Sequence, residues 1–434
     1  MAIKAMKRPP VQDAARLVTT TVKPRLGSQA VVGHPEFDTP MPARVGNSGS
    51  IHLVRLDGVG DMLFMEPAIR KLKAQCSGQA IILHTRARYT AMAPAIGFDA
   101  AEVCENKSGS HGSAVNLNWA LEQHAASHVM DRVSIWEDIL RVGIGDEPVS
   151  IAAVASGKAL LASHPQYHSD RPSLYFSPFS AYRDRSIPAA AVTEAIPILS
   201  STYNVVLTAP AYWDKTTALA TNHPNATFIA EKAETISAAA DAGALVFPET
   251  TVLDWFALAG ACDVALSSDT GGMYVAASAG VPTVGLFEHV PPWLRLRRFP
   301  GTRGVLLRGE GCRCDHHGPC NKPREECRDL LTPEFIANQI EAVLAGEIGY
   351  FLADGSQVAE PLLQIDIEEG HASAIRATEF SAREACRGLN FRIGPADKSP
   401  GSPSSYRECR IVVKAGDMLN RDDVWAEFTR QLKG

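Results

Sequence analysis

Two aspartates set in glycine turns are the residues best suited to chemistry: Asp61 closes Asp57-Gly58-Val59-Gly60-Asp61, and Asp269 opens Asp269-Thr270-Gly271-Gly272. Each follows a short apolar run and precedes a helical pattern, so each stands where a strand ends and a helix begins. Such a helix start gathers unpaired backbone N–H groups and the positive end of the helix dipole, which suits an anion such as a diphosphate. Asp269 could accept from a sugar hydroxyl or cap its helix, and both readings are open. Asp61 lies at the carboxyl end of a strand, where open α/β sheets bind ligands; it is a candidate general base and equally a candidate cap. Arg183 and Arg185, with the Ser180 hydroxyl just before them, follow a third strand. Guanidinium forks fit a diphosphate, with surface salt bridging as the alternative. Asp214, beyond the run 204–209, has the position to hold a ribose or sugar hydroxyl.

These residues require elements to hold them. Residues 261–286 read as strand, glycine turn, small-residue helix and a second strand opened by Gly280-Val281-Pro282. Upstream, IHLVRL is a short strand and MLFMEPAIRKLKAQ is spaced as one amphipathic helix, with Met62, Phe64 or Met65, Ile69 and Leu72 on one side. Strands are expected at 80–85, near Glu102 and at 114–117, a helical piece at 89–96, and a helix over 121–142. The domain connection falls in 143–170, where His164 and His168 read as solvated linker residues. A second run brings a strand from Ser173, a helix over 189–199, a strand at 204–209, a helix from about Tyr212, strands at TFIAE and 244–247, and a helix over 253–261. The basic stretch EHVPPWLRLRRFPG, with Arg295, Arg297 and Arg298 beside Trp293, reads as a loop that is solvated or salt-bridged, or that reaches an anionic acceptor. Alternation of strand and helix means mostly parallel, doubly wound sheets. No GxGxxG occurs, so a dinucleotide dehydrogenase is not supported.

At 434 residues the chain exceeds one core, and 45% hydrophobic with 21% charged residues is ordinary for a globular protein. A net charge of −6 disfavours wholesale electrostatic binding to nucleic acid. No apolar run approaches the roughly 18 residues of a membrane span, and the N-terminus lacks the apolar core of a secretion signal, so a cytoplasmic location is expected. Four segments follow: a flexible extension at 1–49, α/β domains at 50–165 and 171–346, and an add-on at 347–434. Within the add-on, EPLLQIDI and ECRIVVKAG read as strands. Nine cysteines, an odd number, argue against a disulfide framework. Cys312, Cys314, Cys320 and Cys327, with His316 and His317 between them, offer enough donors for structural zinc, and free or redox-active thiols are the alternative.

Two of these stretches carry a family resemblance. RLDGVGDMLFMEPAIRKLK resembles the N-terminal signature of glycosyltransferase family 9, the heptosyltransferase family, in which an apolar strand, R-x-x-x-x-G-D and a helix containing P-A-[IL] recur. SSDTGGMYVAASAGVPTVGLF is similar to that family's D-T-G-x-x-H-x-A-A-x-x-x-x-P segment, and residues 177–188 resemble its small-residue loop followed by a cation. The resemblance implies a GT-B architecture, two Rossmann-like domains facing a cleft, with inverting transfer of a heptose or other sugar from a nucleoside diphosphate donor and no required metal. It implies Asp61 as base, Arg55 and Gly60 on the acceptor side, Arg185 as the phosphate-binding cation, Ser180 and Ala181 in the donor loop, and Asp269, Thr270 and Gly271 on the donor, with Gly272 and Tyr274 beside them.

Three departures from the pattern bear on specificity. Tyr274 stands where the family usually has His, Arg185 and Ile187 stand for Lys and Trp, and Glu288 stands for a common Gly. The expected function is therefore an inverting glycosyltransferase whose acceptor is a glycan, a lipid-linked glycan or another polymer such as hydroxylated DNA bases. A non-catalytic nucleotide-sugar binder is the reading from another class.

Overall fold

The computed structural model describes residues 20–22, 49–105, 114–118, 120–123, 131–151, 154–181, 183–209, 226–248, 250–288, 290–307, 325–358, 363–368, 391–393 and 408–413. After β1 (Thr20–Val22) the chain builds a first parallel sheet from β2 (Ser50–Val54), β3 (Ala80–Thr85), β4 (Ala100–Val103) and β5 (Val115–Asn116), in the order β4-β3-β2-β5. Chain order runs outward from β2 to β4 and then returns to the other side of β2. The loops leaving β2 and β5 therefore diverge, and the end of β2 is a topological switch point.

A second parallel sheet holds β6 (Ser173–Ser177), β7 (Asn204–Ala209), β8 (Leu245–Pro248), β9 (Val264–Ser268), β10 (Thr283–Phe287), β11 (Thr302–Leu306) and β12 (Gly349–Leu352). Its order is β12-β11-β10-β9-β6-β7-β8, with the switch between β6 and β9. β9, β10 and β11 are buried along their whole length, as strands covered on both faces are. Alternating side chains divide the packing. Leu174, Phe176, Val205 and Leu207 join one cluster, while Tyr175 and Val206 join another that continues into Ile51, Leu53 and the helices of the first sheet. A third, small sheet pairs β1 with β13 (Leu363–Glu368), β14 (Phe391–Ile393) and β15 (Glu408–Val413), in the order β1-β13-β15-β14.

The structure divides several expected helices. MLFMEPAIRKLKAQ forms two pieces, α1 (Val59–Leu63) and α2 (Glu66–Gln75), because Pro67 in the first turn of α2 has no N–H to continue the α1 ladder. Of the helix expected over 121–142, α3 (Ala120–Gln123) and α4 (Arg132–Ile139) are described, and α4 starts anew where the Asp131 carboxylate accepts from Ser134 N at 3.1 Å. The piece at 89–96 is two 3₁₀ turns separated at Pro94. The connection 143–170 carries an unexpected helix, α5 (Gly157–Ser163). In it His168 exchanges backbone hydrogen bonds with the Asn204 side chain, and the His164 ring packs on Phe247.

In the second half, α6 (Ala189–Ser200) follows β6 as expected, and TFIAE is corrected. It lies inside α7 (Ala226–Asp241), whose buried Phe228, Lys232, Ile236 and Ala239 fall at helical spacing. The helix expected from Tyr212 lies outside the described residues. α8 (Val252–Ala261) starts at a reciprocal cap between Thr251 and Asp254. α9 (Gly271–Ser278) joins β9 to β10. The stretch read as a basic loop contains α10 (Trp293–Leu296) and is largely buried, with Trp293, Arg295 and Arg298 all below 10% exposure. α11 (Glu325–Arg328) and α12 (Pro333–Leu344) complete the layer.

Candidate active site

Both aspartates sit at the switch points. Asp61 is the third residue of α1, after β2, and the cap position belongs to Gly58, whose φ of +86° favours glycine. A Cβ there would stand 2.7 Å from Asp61 Oδ2, so glycine at 58 makes room for the carboxylate. Asp61 is thus not a cap. Its Oδ2 accepts from Arg55 Nη2 at 2.6 Å, and its backbone carbonyl accepts from Trp136 Nε1 at 2.8 Å. Arg55, 7% exposed in its side chain, is fixed in turn by the carbonyls of Asp57 and Leu117 and lies over the Trp136 ring. The carboxylate keeps 26% exposure and makes no second side-chain hydrogen bond among the described residues, which leaves Oδ1 open to a ligand hydroxyl.

Asp269 ends the other corner, and here too the cap position falls elsewhere, on Thr270, which makes no side-chain capping bond. Asp269 Oδ1 accepts from the Tyr274 hydroxyl at 2.5 Å, and Oδ2 lies 3.6 Å from Arg185 Nη1. Burial, followed by the Asp269 charge, holds the Tyr274 phenol well above its ordinary pKa, so it stays a neutral donor. The backbone N–H groups at the start of α9, Gly271 and Gly272 included, remain without a side-chain cap, the arrangement that receives an anion. Beside them Ser268 Oγ is buried and, among the described residues, without a hydrogen-bond partner, on a cavity of about 10 Å³ that it shares with Arg185, Asp269 and Glu288.

The loop after β6 carries the remaining donor candidates. Ser180 N–H donates to Ser186 Oγ at 2.8 Å, Ser180 O accepts from Lys232 Nζ at 2.5 Å, and Ala181 is exposed beside them. Lys232 is buried against the Phe228 ring, and desolvation pushes its ammonium down to about 8. The sequence hides this lysine, because TFIAE just before it reads as a strand. Arg183 pairs with Glu231 and lies over Phe228, the salt-bridged alternative. Arg185 is the guanidinium that joins Asp269. Glu288 pairs with Arg328, whose Nη2 also holds the Arg183 carbonyl. Asp214, Cys312, Cys314 and Cys320 lie outside the described residues. Cys327 is buried in α11, and among the described residues no group of His, Cys, Asp or Glu is arranged to hold a metal ion.

The two corners meet. A Cβ on Gly60 would stand 2.7 Å from the Tyr274 ring, and one on Gly271 would stand 3.4 Å from Val59 Cβ, so α1 and α9 touch through glycines. Phe64 from the first corner packs edge-on to Tyr274 at 4.6 Å and meets Phe299 at 5.8 Å, closing an aromatic trio between the two sheets. The helix that carries the arginine-held carboxylate thus packs against the helix whose start is suited to an anion.

Residues 87–295 match the family model of glycosyltransferase family 9 (heptosyltransferase), a span that includes the Asp269 corner and begins after the Asp61 corner. Among solved structures, the E. coli ADP-heptose lps heptosyltransferase II is similar at 17% identity, over 69% of this chain and 99% of that one, with a TM-score of 0.50. The family 9 glycosyl transferase from Veillonella parvula DSM 2008 is 13% identical over 69% of this chain and 97% of its own, with a TM-score of 0.47. E. coli heptosyltransferase WaaC with ADP is 13% identical over 68% and 99%, with a TM-score of 0.44. No curated protein matches the chain. With its two parallel sheets and the likeness to heptosyltransferase II, the fold is GT-B. No helix among the described residues is long and apolar enough to cross a membrane.

Proposed function

We propose that this chain, whose residues 87–295 match the family model of glycosyltransferase family 9, moves a heptose or similar sugar from a nucleoside diphosphate to an acceptor hydroxyl with inversion. One observation supports the reading above the others: the Asp61 and Asp269 corners, each at the switch point of its own sheet, abut through Gly60 and Tyr274. In this mechanism Asp61 Oδ1 takes the proton of the acceptor hydroxyl as that oxygen attacks the anomeric carbon from the face opposite the diphosphate. Arg55 holds the other carboxylate oxygen and so aims the base. Negative charge growing on the departing diphosphate is met by Arg185 and by the N–H groups at the start of α9. Ser180 and Ala181 line the donor loop; Asp214 is assigned to a donor hydroxyl. No metal is assigned to the reaction, and Cys312, Cys314, Cys320 and Cys327 are kept as candidates for structural zinc.

ADP-heptose is the first donor to test, because the similar E. coli enzyme carries it in its name. A glycan or lipid-linked glycan in the cytoplasm is the preferred acceptor. Hydroxylated DNA bases are disfavoured, since Trp293 and Arg295, in the basic stretch that could reach an anionic acceptor, are buried. A thermal-shift screen of nucleoside diphosphate sugars tests the reading. A rise in melting temperature with ADP-heptose or a related nucleotide sugar is expected; no response to any of them would reject it.

A further inference from the structure

The two glycines that open α9 have no side chains to steady them, and Thr270 before them makes no side-chain cap. Glycine has the freest backbone of any residue, so N–H groups at 271 and 272 keep one direction only where neighbours hold their peptides. Those neighbours are identified by the space a Cβ would need. One on Gly271 would stand 3.1 Å from Cη2 of Trp255, in α8, and 3.4 Å from Val59 Cβ, so the indole tip and α1 both abut that residue. One on Gly272 would stand 2.7 Å from Ser177 Cβ and 2.9 Å from the Tyr175 hydroxyl, both from β6. Ser268, just upstream, is 2% exposed, and its Oγ has no hydrogen-bond partner among the described residues, a polar group left for a ligand to satisfy.

One hydrogen bond ties these two contacts together. Trp255 Nε1 donates to the Tyr175 hydroxyl, which lies 3.3 Å from Thr208 Oγ1 of β7. An indole N–H only donates, so the phenol oxygen is the acceptor and its own proton can go to Thr208. Tyr175 is fully buried, and burial holds its phenol above its ordinary pKa, so it stays neutral. The indole itself is only partly buried, whereas Phe256 beside it is 1% exposed, and it is delivered from a fixed turn: the Thr251–Asp254 cap closes one residue before it. Trp255 therefore touches Gly271 directly and reaches Gly272 through Tyr175. N–H groups already aimed at an anion bind it more tightly than groups that must be ordered as it arrives.

We infer that Trp255 is a positioning residue for the donor's diphosphate: by its contact with Gly271 and its hydrogen bond to the Tyr175 hydroxyl, it fixes the direction of the N–H groups that open α9. This rests on the donor site proposed above. The test is calorimetry on the full chain, with ADP and inorganic pyrophosphate as probes, in the wild type, Trp255→Phe, Trp255→Leu, Tyr175→Phe, the Trp255→Phe/Tyr175→Phe pair and Arg185→Met. Trp255→Phe keeps a ring and loses the donor, so it is expected to fold and to weaken both probes by the same factor, about 3- to 10-fold, the worth of one hydrogen bond. Trp255→Leu, which also withdraws the indole tip, should weaken both further. The paired variant should bind no more weakly than the weaker of its single variants, because each removes the same link. Wild-type affinities in Trp255→Phe and Trp255→Leu, with only the melting temperature lowered, would make Trp255 merely structural and overturn the inference; a loss in Arg185→Met in that same series would leave the donor site standing without it. Weakening of ADP with pyrophosphate unchanged would also overturn it, by assigning the indole to the nucleoside. If the wild type binds neither probe, the donor site and the inference fail together.

Discussion

Asp61 has one carboxylate oxygen committed and one open, and Arg55 makes that asymmetry. With its own guanidinium fixed by the Asp57 and Leu117 carbonyls, Arg55 cannot follow a wandering carboxylate; the carboxylate must stay with it. Arg55→Met is therefore expected to lower kcat about 10- to 100-fold through loss of aim, with donor affinity unchanged, as read from initial rates and calorimetry. Lys232 gives a second prediction at this scale. Its folded pKa is depressed to about 8, so the unfolded chain binds the extra proton between that value and the ordinary lysine range. Stability should therefore rise with pH across that window: the burial penalty is fully felt below about 8 and is released as pH climbs toward 10.5. Lys232→Met should flatten that rise in a series of melting curves; an unchanged slope would assign it to other groups.

At the scale of elements, the strand-turn-helix corners were legible because each changes its apolar period at a glycine: IHLVRL before Gly58, and DVALSSDT before Gly271. Their roles as caps were not legible. A carboxylate beside a helix start looks the same in sequence whether it caps or waits for a ligand, and only the backbone shows that Gly58 and Thr270 take the cap positions. TFIAE misled because five residues fit a strand as well as a helix, and the deciding partners, Lys232, Ile236 and Ala239, come later in the chain. Arg295 and Arg298 were hidden for another reason. Neighbouring arginines look solvated until the surfaces that bury them, contributed by residues far away, are in place. The touching helices α1 and α9 carry the prediction here. Gly60→Ala puts a methyl 2.7 Å from the Tyr274 ring, so it should destabilise by about 1–3 kcal/mol and reduce turnover, whereas Gly49→Ala, with nothing within 4 Å, should do neither.

Across the whole molecule, the two sheets are joined by more than the aromatic trio. Arg298, from the stretch after β10, reaches Glu137 of α4 at 3.2 Å, and Glu137 also accepts from Lys71 of α2 at 2.6 Å. Arg298 also donates to the carbonyls of Glu147 and Gly145, in the connection between the sheets. Burial raises the Glu137 pKa while Lys71 and Arg298 pull it down, so the carboxylate depends on its cations. Arg298→Met is expected to cost about 3–5 kcal/mol, seen as a lower midpoint in denaturant, because it strips a buried carboxylate of one partner; a change within error would mean that Lys71 alone suffices.

The central claim is that the corner of the first sheet supplies the base for a donor gripped by the corner of the second. Release of ADP from ADP-heptose, followed in the wild type and in Asp61→Ala alongside calorimetric binding of ADP, tests it most directly. The wild type should release ADP, and Asp61→Ala should bind ADP equally well while release falls by about 100- to 10,000-fold, the range for a lost general base. Release by Asp61→Ala at the wild-type rate would contradict the account.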